Sequence, residues 1–75
     1  MTYCDYVLNV GPDFESLQPE YSYPTEDAAI AAAVLHAETT GEVAEVVYSP
    51  VDDPDYPDYV VFRTDGTRGW YGLEP

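Results

Sequence analysis

Residues 24–41, PTEDAAIAAAVLHAETTG, contain the strongest local signal in this 75-residue chain and predict one helix. Thr25 can cap the helix because its hydroxyl accepts an N–H of the first turn. Glu26 and Asp27 then lie at the positive end of the helix dipole. The alanine-rich run that follows has high helix propensity, and Gly41 provides the left-handed residue that ends many helices. The helix is therefore expected to begin after Thr25 and to end at Gly41.

The two faces of this predicted helix differ in size, and neither carries a full charge. The larger apolar side chains fall on one face, which consists of Ile30, Ala31, Val34 and Leu35. We expect that face to pack against a sheet. The opposite face consists of Ala29, Ala32, Ala33 and His36. Two interpretations of the second face stay open: alanine is simply the best helix former, or the face contacts a second copy of the chain or another partner.

Segments rich in β-branched and aromatic residues flank the helix and predict strands. They are Thr2–Val10, Glu42–Ser49, Tyr59–Thr64 and Thr67–Leu73. Residues 11–24 contain three prolines and are expected to form a loop folded over the domain, and residues 51–58 are expected to form an exposed acidic loop. The order β-α-β-β-β predicts a single α+β domain over residues 1–75, with an antiparallel sheet of about four strands and one helix on one face.

A hairpin is predicted at Asp65-Gly66, and a two-residue turn there sets its register. Arg63 then faces Arg68, so the two positive charges of the chain lie opposite each other. Such a pair costs several tenths of a kcal/mol when isolated. We therefore expect nearby acids to neutralise it, the candidates being Glu45, Asp5, Asp13 and Glu15.

The same register predicts which hairpin side chains face the helix. They are Val60, Phe62, Tyr71 and Leu73, because side chains alternate along a strand. Phe62 is expected to cover the space beside Gly69, which lacks a side chain. Trp70 falls on the other face, and whether it is exposed or covered by Phe14 and Leu17 stays open.

The charge balance excludes several classes of function. Fifteen acids face two arginines and no lysine, which gives a net charge of −13. Direct binding to nucleic acid or to an anionic membrane requires a basic surface and is not expected. Cys4 is the single cysteine, and the sequence has neither a signal-peptide pattern nor an apolar run of about 20 residues. We expect a reducing cytoplasm as the compartment.

The reactive side chains do not indicate an enzyme. Cys4 and His36 are the only thiol and imidazole, and nothing in their placement suggests a nucleophile with its base. Four carboxylates crowd into seven residues, at Asp52, Asp53, Asp55 and Asp58. Oxygen ligands suit calcium, but the spacing departs from that of an EF-hand loop and Pro54 and Pro57 stiffen the backbone. No cofactor or metal is predicted.

Three explanations of the charge compete: mimicry of a nucleic-acid backbone, adaptation to high salt, and simple solubility. Thirteen charges correspond to about 22 Å of duplex DNA, and a domain of this length is roughly 30 Å across. Residues 28–37, the centre of the helix, contain no acid, whereas acids gather in loops and in the sheet. Salt adaptation would be expected to add acids to the exposed helix face as well, so this distribution favours an acidic binding surface.

In size, charge and element order the chain resembles the small phage-encoded inhibitors, in particular the anti-CRISPR proteins that act as DNA mimics. The resemblance implies a protein that occupies the positive DNA- or guide-binding channel of an RNA-guided effector complex in the cytoplasm of a bacterial host. It carries over no individual site residue.

We therefore predict a non-enzymatic inhibitor that binds a basic nucleic-acid-binding protein surface and acts as a monomer or homodimer. The predicted partner-binding residues are Asp52, Asp53, Asp55, Tyr56, Asp58, Glu42 and Glu45, joined by the loop acids Asp13, Glu15 and Glu20. The alternative is an acidic interaction domain or a salt-adapted domain without nucleic-acid mimicry, which dimerises through the alanine face of its helix.

Overall fold

A computed structural model of the chain describes residues 5–50, 55, 57–67 and 69–71, with only the backbone at Tyr71. The elements in this part of the chain are β1 (Tyr6–Gly11), β2 (Gln18–Tyr23), α1 (Glu26–Thr40), β3 (Val43–Tyr48), β4 (Tyr59–Thr64) and β5 (Gly69–Tyr71). The strands pair antiparallel in the order β2-β1-β3-β4-β5, and α1 packs on one face of this sheet. The predicted α+β class, with one helix on an antiparallel sheet, is confirmed.

β2 lies where the sequence predicted a loop, so the sheet has five strands rather than about four. Pro19 belongs to this strand, and proline is tolerated at the edge of a sheet because the outer side has no neighbouring strand to accept an N–H. The pairing with β1 shifts register between Leu8 and Asn9. Such an irregularity accommodates a residue that interrupts the ladder. The prolines of residues 11–24 therefore interrupt pairing without abolishing it.

Both ends of α1 are capped as predicted. The Ala28 N–H donates to the Thr25 hydroxyl oxygen at 3.2 Å. Gly41 has φ of 79°, in the left-handed region, and its N–H donates to the Ala37 carbonyl at 3.0 Å. The local chemistry of residues 25–41 thus determines where the helix begins and ends.

The face that α1 turns to the sheet is the alanine face, which corrects the prediction. Ala29 and Ala33 are fully buried and Ala37 is 3% exposed, whereas Leu35 on the predicted core face is 62% exposed. Alanines spaced four residues apart form a narrow, flat stripe, which lets the helix backbone approach the sheet closely. A dimer through this face would have only the half-buried Ala32 and His36 available, because the sheet covers Ala29 and Ala33; it stays a prediction.

The sheet supplies the large side chains of the core. Val46 of β3 and Phe62 of β4 are the largest side chains that are fully buried, and the two residues pair directly across the strands. Leu8 of β1 pairs with Val46 from the other side and is 3% exposed. Ile30 and Val34 pack against this cluster and are half-buried. Large residues from the sheet therefore meet small residues from the helix.

The β4–β5 hairpin has a register that differs by two residues from the prediction. Arg63 pairs with Trp70 and Thr64 with Gly69, so the predicted pairing of Arg63 with Arg68 is wrong. Arg68 lies outside the described residues. Four residues, 65–68, separate the paired Thr64 and Gly69, and the shift of two residues leaves Phe62 and Arg63 on their predicted faces. The predicted place of Val60 on the helix face is wrong, because the β3–β4 pairing is irregular between Val46 and Val47 and pairs Val60 with Val47.

Side chains stabilise this longer loop. The Gly66 N–H donates to the Thr64 hydroxyl oxygen at 3.1 Å, and one Asp65 carboxylate oxygen accepts from the Thr67 N–H at 2.9 Å. Gly66 has φ of 91°. The predicted cover of Gly69 is confirmed, because a Cβ built there would lie 2.5 Å from the Phe62 ring. The predicted placement of Leu73 lies outside the described residues.

No helix in the part of the chain described is long and apolar enough to cross a membrane.

The burial of the alanine face can be tested with one enlarged side chain and a matched control. We expect Ala33→Leu to lower the free energy of unfolding by about 1–3 kcal/mol, because the added carbons have no space between helix and sheet. Ala31→Leu adds the same atoms on the exposed side, and we expect a change within about 0.5 kcal/mol. Urea unfolding followed by circular dichroism measures both; equal effects would contradict this packing.

Candidate functional site

The sheet has two ends, and the predicted site residues divide between them. At the tyrosine end, β1 and β4 begin at Tyr6 and Tyr59, and β2 and β3 finish at Tyr23 and Tyr48. The opposite end, which contains the connection of residues 12–17, is called the loop end. Six-residue strands rise by about 3.3 Å per residue, so the two ends lie roughly 17 Å apart.

The predicted partner-binding acids that the structure describes do not form one cluster. Asp55 and Asp58 are exposed and close in sequence to the tyrosine end. The acids Asp13 and Glu15 are exposed in the connection at the loop end, and Glu42 precedes β3 at that same end. The predicted residues Asp52, Asp53 and Tyr56 lie outside the described residues.

Glu20 and Glu42 are brought together at the loop end. They line an open groove of about 310 Å³ whose other walls are Val10, Gly11, Pro12, Ser16, Gln18 and Pro19. A Glu42 carboxylate oxygen lies 2.9 Å from Nε2 of His36, and the Glu42 side chain is 42% exposed. Among the described residues, no three His, Cys, Asp or Glu side chains are grouped so that they could hold a metal ion.

Glu45 lies on the face of the sheet away from the helix and is not available to a partner. Its carboxylate accepts from the Arg63 Nε–H at 2.8 Å, and the residue is 7% exposed. The Arg63 guanidinium also lies 5.1 Å from the centre of the Phe14 ring, which makes an edge-to-face contact with Trp70 at 6.3 Å. The prediction that Glu45 neutralises Arg63 is confirmed, and the internal pair removes Glu45 from the predicted binding surface.

This arrangement has a simple origin in the strands. Glu45 and Arg63 are directly paired neighbours on β3 and β4, on the face opposite to Val46 and Phe62. Phe14, from the connection between β1 and β2, contacts the Arg63 guanidinium and Trp70 on this side of the sheet. Trp70 is thus partly covered by Phe14, which answers the question that the sequence left open.

Four tyrosines on four adjacent strands form a row at the tyrosine end. They are Tyr23 of β2, Tyr6 of β1, Tyr48 of β3 and Tyr59 of β4, and we call them the tyrosine row. The ring centres of Tyr6 and Tyr48 are 5.1 Å apart, and those of Tyr48 and Tyr59 are 5.6 Å apart. Tyr21 adds a fifth ring, 5.0 Å from that of Tyr23. The result is a band of aromatic rings across most of the sheet.

The two sides of this band are open. Tyr21 is 64% exposed and Tyr59 is 40% exposed, whereas Tyr6, Tyr23 and Tyr48 are half-buried and pack against the core. A half-buried tyrosine keeps its hydroxyl near water while its ring is held in place by neighbours. The outer rings of Tyr21 and Tyr59 are therefore accessible, and the rings between them pack against the core.

Two carboxylates, Glu26 and Asp5, act on the Tyr6 phenol of the row. Burial raises the pKa of the Tyr6 phenol above its usual value, and the Glu26 carboxylate adds to this increase, followed by Tyr48, Tyr59 and Asp5. Glu26 belongs to the first turn of α1, which therefore comes close to the row. The Tyr6 hydroxyl is consequently protonated at neutral pH and lies in negative surroundings.

The tyrosine row was not predicted, although the sequence contains a signal for it. Tyr6 and Tyr59 each begin a strand, and Tyr23 and Tyr48 each finish one. In an antiparallel sheet, the start of one strand and the finish of its neighbour lie at the same end of the sheet. Finding the row requires β2 as a strand, because Tyr23 otherwise falls in a loop.

The Glu45–Arg63 pair gives a prediction on stability. We expect Arg63→Met to lower the free energy of unfolding by about 1–3 kcal/mol, because it leaves a buried carboxylate without this guanidinium. Combining it with Glu45→Leu removes both polar partners and should restore part of the loss. Urea unfolding at neutral pH measures the single and double variants. A single variant as stable as the unchanged protein would contradict the role of the pair.

Tyr6 gives a prediction on pH dependence. Its pKa in the folded protein is raised, so the contribution to stability is fully present below about pH 10 and is lost as the pH rises through the raised value. The free energy of unfolding of the unchanged protein should therefore fall more between about pH 8 and about pH 11 than that of Tyr6→Phe. Urea titrations at both pH values test this. Parallel losses in the two proteins would show that the Tyr6 phenol is not responsible.

Comparison with protein-family models, curated proteins and solved structures found no match for this chain. Its functional interpretation therefore depends on the physical properties described above. These are a large excess of exposed carboxylates, an internal partner for Arg63, and a row of accessible aromatic rings at one end of the sheet.

Proposed function

We propose that this chain is a non-enzymatic inhibitor that binds the positively charged nucleic-acid-binding surface of another protein and excludes nucleic acid from it. An RNA-guided effector complex in a bacterial cytoplasm, inhibited by a phage-encoded protein of the anti-CRISPR type, is the partner class that fits this proposal. The chain would then act by occupying the site that DNA or RNA otherwise fills.

The observation that carries the proposal is the absence of compensating charge on the described surface. Arg63 is the one lysine or arginine among the described residues, and its guanidinium is paired with Glu45. Nine carboxylate residues in the same part of the chain are exposed, namely Asp13, Glu15, Glu20, Glu26, Asp27, Glu38, Asp55, Asp58 and Asp65. A surface of this kind attracts basic grooves over a distance and accelerates association with them.

The charge density supports the comparison with nucleic acid. The longest dimension of the described part is 33 Å. Duplex DNA of that length carries about 19 phosphate charges. The described residues contain twelve acids and one arginine, so their net charge is more than half of the duplex value. A basic groove that binds duplex DNA would therefore gain much of the same electrostatic attraction from this protein.

The distribution of charge favours a binding surface over salt adaptation. The outer side of α1 exposes Ala28, Ala31 and Leu35 without an acid between them. A chain adapted to high salt would gain from acids at these solvent-exposed helical positions, where no packing opposes them. The acids instead occupy connections, helix ends and strand edges.

Competition with duplex DNA tests the function. The immobilised protein is incubated with nuclease-treated bacterial lysate, and the bound proteins are eluted with short duplex DNA at constant ionic strength. We expect the duplex to release basic nucleic-acid-binding proteins and, when added first, to prevent their capture. Proteins that stay bound in excess duplex would contradict mimicry and would favour an acidic interaction domain of another kind.

Two variants of equal charge test where the partner binds. The tyrosine-end variant replaces Asp52, Asp53, Asp55 and Asp58 by Asn, and the loop-end variant carries Asp13→Asn, Glu15→Gln, Glu20→Gln and Glu38→Gln. Each neutralises four acids and so reduces the net charge from −13 by the same amount. Both sets contain predicted partner-binding acids, with Asp13, Glu15 and Glu20 in the loop-end set. We expect capture to be lost in the tyrosine-end variant and weakened less in the loop-end variant. Equal losses would reject a preference for the tyrosine end while leaving the electrostatic attraction in place.

A further inference from the structure

We propose that the tyrosine row and the carboxylates beside it form an arginine-binding surface that docks an arginine-rich segment of the partner. This inference rests on the function proposed above, and it specifies which side chain of the partner is recognised. The distinction matters because a diffuse acidic surface attracts lysine and arginine equally, whereas a surface of rings and carboxylates prefers arginine.

The dimensions of the row suit several arginines rather than one. Neighbouring strands lie about 4.8 Å apart, so the four strands of the row span roughly 14 Å. The ring centres of Tyr48 and Tyr59 are 5.6 Å apart, and those of Tyr21 and Tyr23 are 5.0 Å apart. A guanidinium is attracted by a tyrosine face when it lies within about 6 Å of the ring centre. The exposed rings of Tyr21 and Tyr59, on opposite sides of the band, give access from solvent.

The carboxylates beside the row can accept hydrogen bonds from a guanidinium that stacks on the rings. Glu26 and Asp58 are exposed, and Asp58 directly precedes Tyr59 in the chain. Glu26 begins α1 three residues after Tyr23 of the row, and its carboxylate adds to the raised pKa of the Tyr6 phenol. A planar guanidinium can stack on a ring and donate to a carboxylate at the same time, whereas an ammonium group does not stack.

The protein already contains one example of this arrangement. Arg63 places its guanidinium 5.1 Å from the centre of the Phe14 ring and donates from Nε to Glu45 at 2.8 Å. That site is filled from within the chain and lies towards the loop end. The tyrosine row offers the same two kinds of group on the surface, and Arg63 is four residues away from Tyr59 along β4. Arg63, the one arginine among the described residues, is therefore committed to its own site, and the occupant that we propose for the row is an arginine of the partner.

Charge complementarity excludes two other occupants. Single-stranded nucleic acid stacks on aromatic rings, but it does so in positive grooves, and the acids here would repel its phosphates. A second copy of the chain would bring two net charges of −13 together, which is unfavourable without intervening cations. An arginine-rich segment satisfies both the rings and the carboxylates.

Two peptides of equal charge, fluorescein-labelled nona-arginine and nona-lysine, test the surface by fluorescence anisotropy. We expect the unchanged protein to bind nona-arginine about three- to tenfold more tightly than nona-lysine. The double variant Tyr21→Leu with Tyr59→Leu should lose this preference and keep its affinity for nona-lysine. Replacing the same two residues by Phe keeps the rings and should keep the preference.

A matched control removes an aromatic ring from the other face of the sheet. Phe14→Leu changes no net charge and leaves the tyrosine row intact, so the preference for arginine should persist. Tyr21→Leu alone, at a side chain that is 64% exposed, provides a variant that does not depend on the packing of Tyr59. In NMR titrations, nona-arginine should shift the ring resonances of Tyr21 and Tyr23 more than those of Phe14.

The outcomes separate this surface from the function on which it rests. Equal affinities for the two peptides, or an arginine preference that survives removal of both tyrosine rings, would overturn the arginine-binding surface. Release of captured proteins by duplex DNA would still support the proposed function in that case. Capture that is insensitive to duplex DNA would reject the proposed function, while a tyrosine-dependent preference for arginine would still support the surface.

Discussion

The close contact between the alanine stripe of α1 and the sheet is the constraint on which the rest of the structure depends. Ala29 and Ala33 have no exposed surface, so little separates the helix backbone from the strands beneath it. The large core side chains must then come from the sheet, as Val46 and Phe62 do. The same contact turns Leu35 to solvent. It also brings the first turn of the helix near the start of β1, where Glu26 acts on the Tyr6 phenol.

The charged side chains of the described residues fall into two groups, an internal ion pair and a larger set of exposed carboxylates. On the side away from the helix, Glu45 and Arg63 form an internal pair that Phe14 borders. This pair holds the connection of residues 12–17 near the sheet. Elsewhere in the described part of the chain, most carboxylates remain exposed, and mutual repulsion opposes compaction. The aromatic rings at the tyrosine end and the aliphatic core offset that repulsion, so the domain can carry its charge and stay folded.

Local chemistry was predictable from the sequence, and long-range pairing was less so. Thr25 and Gly41 cap the helix as expected because caps depend on a few adjacent residues. The prediction of the buried helix face was wrong because neither face has a charged side chain in its middle. Amphipathicity therefore could not distinguish the two faces. The hairpin register was wrong because Asp65 forms side-chain hydrogen bonds that support a longer loop. The tyrosine row depends on the pairing of four strands, one of which is β2. The three prolines of residues 11–24 led to the prediction of a loop where β2 lies.

The edge strand β2 affects whether molecules of this protein associate at high concentration. Proteins with free sheet edges tend to associate through them at high concentration. Pro19 and Glu20 lie on this edge strand, and its ladder is irregular next to Asn9. Proline, charge and irregular pairing are the features that discourage strand addition. These features of β2 therefore disfavour association of molecules through this edge of the sheet.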